Sequence, residues 1–195
     1  MFSRISGDAV LDLLNTVEWR INESLREEDL TTFDLVLQWC VEAGLLSSDE
    51  QGACSRLAAQ DPKTAELERE KIIGLREAAY EVLFEHRPGA TAPIVDAYQE
   101  ALAGATLSRT DSSWTWDLGT ATLMTPRHRI AVGLIDLLRR DDLDRLHQCE
   151  DDSCGWVYLD TSPRRNRRWC VASDCGDRNR SRAYYARQKA KTQAK

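Results

Sequence analysis

Four cysteines near the C-terminal end of the chain stand in two equal pairs, Cys149-x4-Cys154 and Cys170-x4-Cys175, with fifteen residues between the pairs. Thiolates at this spacing suit a cation that takes four ligands at the corners of a tetrahedron. Each pair supplies two neighbouring corners from one tight knuckle, and the chain between them folds back to bring the second pair over the first. The pattern points to one Zn2+ held by Cys149, Cys154, Cys170 and Cys175. With four thiolates and no corner left for water, its role is structural and not catalytic. Two disulfides would use the same residues. However, the N-terminal stretch MFSRISGDAVLDLLNTVEWR has acidic residues where a secretory signal carries its apolar run. The expectation is a reducing compartment, the cytoplasm, where thiols bind metal or stay free. His147, close to Cys149, is a fifth candidate donor, although a histidine at a helix end also serves the nearby carbonyls. Cys40 and Cys54 fall in helical patterns and read as small core residues.

Beside the cysteines lies a second chemistry, a dense run of arginine. Arg164, Arg165, Arg167 and Arg168 sit between the two pairs, and Arg178, Arg180, Arg182, Arg187, Lys189 and Lys191 follow the last cysteine. From Thr161 to Lys195 there are 11 Arg/Lys against 2 Asp, a net +9, while the first 160 residues carry 15 against 30, a net −15. The overall charge of −6 averages two unlike parts, an acidic body and a basic tail. A basic segment seeks polyanions, and the planar fork of Arg matches phosphate or guanine in two bonds. Nucleic acid is therefore the expected partner, DNA first and RNA second, through the eight arginines named above. Internal pairing competes for them, since Glu150, Asp151 and Asp152 stand just before Cys154.

The elements that must position these groups can be read from periodicity. Val10, Leu13, Leu14, Val17 and Ile21 predict a helix over 8–21. Thr32 caps a second with Phe33, Val36, Leu37, Trp39 and Cys40, stopped at Gly44. Ser47 to Glu50 has the form of a capping box for a helix to about Ala59. Asp61-Pro62 opens a longer one with Leu67, Ile72, Leu75, Ala79, Val82 and Leu83 inward, ending at Pro88-Gly89. Thr91 to Ala103 turns Val95, Tyr98 and Leu102 inward. Residues 106–109 and 114–118 then alternate like a hairpin. A helix returns from Pro126 through Leu138, and a short one at Leu143–His147 delivers the chain to Cys149. Trp156–Leu159 reads as a strand, and a last helix starts near Gly176. The fold class is mainly α with a small β-hairpin. A multihelical body over 1–147 precedes a finger over 148–195 built as knuckle, short strand, knuckle and helix.

No run approaches the length of a membrane span, and the body carries no phosphate loop, nucleophile elbow or His/Glu metal motif. An enzyme is not expected. Asn15, Glu18, Trp19 and Arg20 are polar or amphipathic groups on an otherwise apolar segment. Asn15 and Arg20 could line a ligand pocket, whereas a solvated helix end is the plainer reading of Glu18 and Arg20. A sensing or dimerising body, with a small-molecule effector or a second copy as partner, follows as a hypothesis.

Residues 154–162 (Cys-Gly-Trp-Val-Tyr-Leu-Asp-Thr-Ser), 167–170 (Arg-Arg-Trp-Cys) and 175–178 (Cys-Gly-Asp-Arg) together resemble the CGNR zinc finger. Residues 11–20 (Leu-Asp-Leu-Leu-Asn-Thr-Val-Glu-Trp-Arg) resemble the opening of the ABATE domain that precedes that finger. The resemblance spans nearly the whole chain. It implies a bacterial stress-associated transcription regulator whose zinc finger binds DNA. Cys149, Cys154, Cys170 and Cys175 match the family's ligands, and Arg167, Arg168 and Arg178 its motif arginines. The family's Cys-Gly-Asn-Arg departs here to Asp177, a carboxylate at the start of the helix. It can cap N–H groups or favour the helix dipole, or it can repel a phosphate. The alternative class is an RNA-binding or protein-interaction module stabilised by structural zinc.

Overall fold

Asp8 opens the first helix, α1 (Ala9–Leu14), by accepting the amides of Val10 and Leu11. The structure is a computed structural model that describes residues 2–193; Met1 and residues 194–195, with Lys195 of the basic tail, lie outside the described residues. The apolar period that predicts a helix over 8–21 is cut at Leu14. Asn15 turns away, Val17–Glu18 forms strand β1 paired with β2 (Glu27–Glu28), and Trp19 takes a left-handed φ of 51° that no α-helix contains. Ile21 consequently ends 46% exposed.

The next three helices begin where their caps place them. Thr32 accepts from the Leu35 amide and opens α2 (Phe33–Glu42). Ser47 and Glu50 form a complete capping box for α3 (Ser48–Gln60), and Asp61 accepts from Thr64 at the start of α4 (Pro62–Tyr80). Beyond α4 come α5 (Ala92–Leu102), the hairpin β3 (Thr106–Arg109) with β4 (Trp114–Asp117), and α6 (Thr125–Leu138). The hairpin register pairs Thr106 with Asp117 and Arg109 with Trp114.

Two helices are rotated from the faces their apolar residues predict. Leu67 of α4 and Val95 of α5 are exposed, whereas Ile94, Ala97 and Ala101 turn inward on α5. In α4 the buried set includes Glu68 and Arg76, which apolar counting assigns to solvent. Each is buried because it finds an ionic partner: Glu68 receives Arg127 at 2.6 Å, and Arg76 forks onto both oxygens of Glu28 at 2.8 and 2.6 Å. Neither pair stands alone, since Lys71 also reaches Glu68 at 2.8 Å and Glu77 also accepts from Arg76 at 2.8 Å, so each buried charge sits in a small ionic network.

The expected helix at Leu143–His147 is a single 3-10 turn, Leu143–Arg145. The chain then extends as β5 (Leu146–Gln148) to pair with β6 (Val157–Leu159) across the first knuckle. Extended backbone there satisfies the strand that the knuckle hands back, which a helix could not do. Val157 and Leu159 point into the same core as Leu11, Leu14, Ile72 and Leu134. The last helix, α7 (Asp177–Gln193), follows a π turn at Ala172–Gly176 and buries none of its residues. No helix among the described residues is long and apolar enough to cross a membrane.

Candidate metal centre and nucleic-acid interface

The first knuckle is shaped by Asp151, whose carboxylate accepts the Ser153 amide at 3.1 Å while its carbonyl accepts the Cys154 amide at 3.2 Å. Gly155 then turns the chain at φ 74°, and the Cys149 amide bonds the Trp156 carbonyl at 2.7 Å to start the β5–β6 ladder. A Cβ on Gly155 would stand 2.8 Å from the Cβ of Arg20, so the knuckle touches the body at a point where only glycine fits. The second knuckle is bound by Arg167. Its guanidinium lies 4.0 Å over the Tyr158 ring and donates to the carbonyls of Trp169 (3.0 Å), Cys170 (2.5 Å) and Ile5 (3.3 Å).

These turns bring the sulfurs of Cys149, Cys154, Cys170 and Cys175 within 4.8 Å of one another, all four buried. Cys154 Sγ is 3.6 Å from Cys170 Sγ, which is 3.4 Å from Cys175 Sγ. Zinc bonds of about 2.3 Å to sulfur put tetrahedral neighbours about 3.8 Å apart, so the donor set fits one zinc ion. None of the six cysteines is in a disulfide. Crowding splits the proton affinities: sulfur hydrogen bonds from Cys154 and Cys170 pull Cys149 down, and the bonds shared with Cys149 push Cys154 and Cys170 up. A divalent cation relieves the repulsion that keeps all four from ionising together. When bound, it supplies folding energy rather than reactivity. His147 is outside the cluster; it lies exposed on β5 with its ring 6.1 Å from that of Tyr158.

The ABATE family model, described as "Putative stress-induced transcription regulator", matches residues 7–141. The chain belongs to the ABATE family. The CGNR zinc finger model matches residues 145–188, which hold all four cysteines of the ABATE protein's metal centre. A search of curated proteins found no match to the chain.

In this ABATE protein the arginines divide into three groups. Arg178 donates to Cys175 Sγ at 2.9 Å, to Asp151 at 3.1 Å and to Asp174 at 2.9 Å, and stacks 4.5 Å over the Trp19 ring. Together with Arg167, whose bonds close the second knuckle, it is spent on holding the finger. Asp151, buried, also accepts Asn179 at 2.7 Å and Arg182 at 3.4 Å. Burial raises its pKa, but the Ser153 amide and the Arg178 guanidinium outweigh that and hold it below the usual carboxylate range. Arg168 pairs with Glu150, Arg165 with Asp144, and Arg180 with Asp177, all at exposed positions. Asp177 therefore meets a cation within its own first turn. Arg164 and Arg187, with Lys189 and Lys191, are exposed and have no carboxylate partner among the described residues.

Asn15 and Arg20 lie together at the junction of the ABATE body and the finger. Asn15 exchanges two hydrogen bonds with the backbone of Val157, at 2.8 and 2.9 Å, acting as one more strand residue against β6. Arg20 is 7% exposed; it reaches Glu77 at 2.6 Å and the Leu14 carbonyl at 3.0 Å, and covers the Tyr80 ring at 4.2 Å. Its backbone amide donates to the Cys154 carbonyl at 2.8 Å. Glu18 is half-buried with its carboxyl pushed up to about 7, by burial first and then by Asp29, Asp174 and Glu27. None of these three sits at a solvated helix end. The internal pairing expected of the Glu150–Asp152 cluster is present, but sequence reasoning did not single out Asp151 within it, or assign Trp19 a part in positioning α7. Asp151 looks no different in sequence from its exposed neighbours Glu150 and Asp152, and nothing in the local pattern announces the left-handed Trp19.

Proposed function

We propose that this ABATE protein is a zinc-stabilised, DNA-binding transcription regulator of the cytoplasm, with a body that senses a ligand or dimerises and no catalytic role. One observation carries the reading: α7 leaves the metal centre over seventeen residues without burying any of them. Such a helix spans about 25 Å. A helix polar on every side gains nothing from the core, and alone in water it is marginal. Here its first turn is fixed by Asp151, Arg178 and Asn179. The remainder presents Arg187, Lys189 and Lys191, with Tyr184 and Tyr185 51% and 70% exposed among them. A phosphate backbone supplies the missing stabilisation, and unpaired cations are the groups that release counterions on binding. The finger loop adds Arg164 on the same segment of chain.

Anisotropy titrations of the zinc-loaded full chain against labelled duplex DNA and a structured RNA, at matched salt, test this. DNA affinity is expected to fall by orders of magnitude between ~50 and ~200 mM salt. The double variant Arg187→Glu/Lys189→Glu is expected to weaken binding at least tenfold and leave the thermal transition in place. Tighter binding to the RNA would move the protein to the RNA-binding class. No binding to either polymer would remove the proposal.

A further inference from the structure

The β3–β4 hairpin is amphipathic, yet its apolar face is not packed down. Residues alternate across a strand, so Trp114 and Trp116 share one face, opposite Arg109 and Leu107 on the paired strand. Leu107 is 55% exposed, Trp114 66% and Trp116 37%. A two-stranded ribbon is marginal in water unless such a face is covered. Trp114 and Trp116 instead form one wall of an open cleft of about 350 Å³, whose other wall is the α6 face bearing Arg129, Val132 and Asp136, with Leu45 at its end. That volume is within the range of small-molecule sites.

The chemistry of the walls narrows the occupant. Arg129 is about one-third exposed and is held by Glu50, itself fixed by the Ser47 capping box. Only one terminal nitrogen of Arg129, Nη2, meets Glu50; Nε is buried away from the cleft, and Nη1 has no partner among the described residues. A guanidinium fixed in place with the N–H groups of Nη1 to spare is a receptor for a carboxylate. The indoles beside it offer flat, apolar surface that suits an aromatic ring.

We infer that the cleft between the β3–β4 hairpin and α6 is a binding site for a planar aromatic carboxylate, its anion on Arg129 and its ring against Trp114 and Trp116. This deepens the sensing half of the proposed function. It rests on that reading only for any effect on DNA, because binding itself is measured without nucleic acid.

The probe is 2-naphthoate, titrated calorimetrically into the zinc-loaded full chain, with 2-naphthamide as the uncharged control. One site per chain is expected, with the amide at least tenfold weaker. Trp114→Ala and Arg129→Gln are each expected to weaken naphthoate at least tenfold. Trp114 is exposed enough that its removal tests the site even if Arg129→Gln fails to fold. Absence of binding, equal affinity for acid and amide, or an unchanged affinity in Trp114→Ala would overturn the inference. Sedimentation of the unliganded chain as a dimer that Trp114→Ala disperses would overturn it too, by giving the hairpin face to a second copy. Naphthoate binding without any change in DNA affinity would keep the site and remove its regulatory role.

Discussion

Arg178 and Arg187 stand nine positions apart on one helix and have opposite fates. The first is drawn inward by a thiolate, two carboxylates and an indole, whereas the second meets no carboxylate among the described residues. The zinc ligands were legible in sequence because ligand spacing is itself the signal. The division among arginines was not, because it depends on where Asp151 and Trp19 sit in space. Charge reversal at Arg178 would therefore confuse finger collapse with lost DNA contact, and Arg187 is the cleaner position. At the cysteines the expectation is direct. Elemental analysis of the purified chain should give one zinc, and Cys154→Ser should lower that occupancy and the thermal transition of the finger together. A serine variant that keeps one tightly held zinc would refute a role for Cys154 in holding the metal.

Among elements, sequence periodicity located every α-helix except in phase or extent. Capping side chains were local and therefore readable: Thr32, Ser47 and Asp61 each bond an amide within three residues. The end of α1 was not readable, since it is set by a partner 142 positions away, the Val157 backbone held by Asn15. Phase errors in α4 and α5 have a similar origin, because buried ion pairs and small contact residues outrank isolated Leu67 and Val95. Close approach of elements gives the test at this scale. A Cβ on Gly133 of α6 would lie 2.6 Å from Val10 Cγ2 on α1, so Gly133→Ala is expected to cost about 1–3 kcal/mol in denaturant unfolding. Gly155→Ala combines a left-handed backbone with contact against Arg20, and should also loosen the finger from the body. Unchanged stability in both would mean that the helices and the knuckle have slack the structure does not show.

On the scale of the molecule, the family boundaries near residues 141 and 145 do not mark a mechanical break. β6 contributes Val157 and Leu159 to the body's core, and the Leu159 amide bonds the Ser6 carbonyl at 2.8 Å. Stripping zinc with a chelator is therefore expected to lower the melting temperature of the helical body as well as unravel the tail, read from the helical circular-dichroism transition. A body transition that ignores the chelator would show that the two parts are energetically separate. Because Asn15 ties one to the other, the equilibria are reciprocal: whatever factor the ion adds to the stability of the helices, the folded helices add to retention of the ion. Under metal scarcity, copies with a stabilised N-terminal half would be the last to surrender their ion, and the population of armed fingers would record the state of the helices.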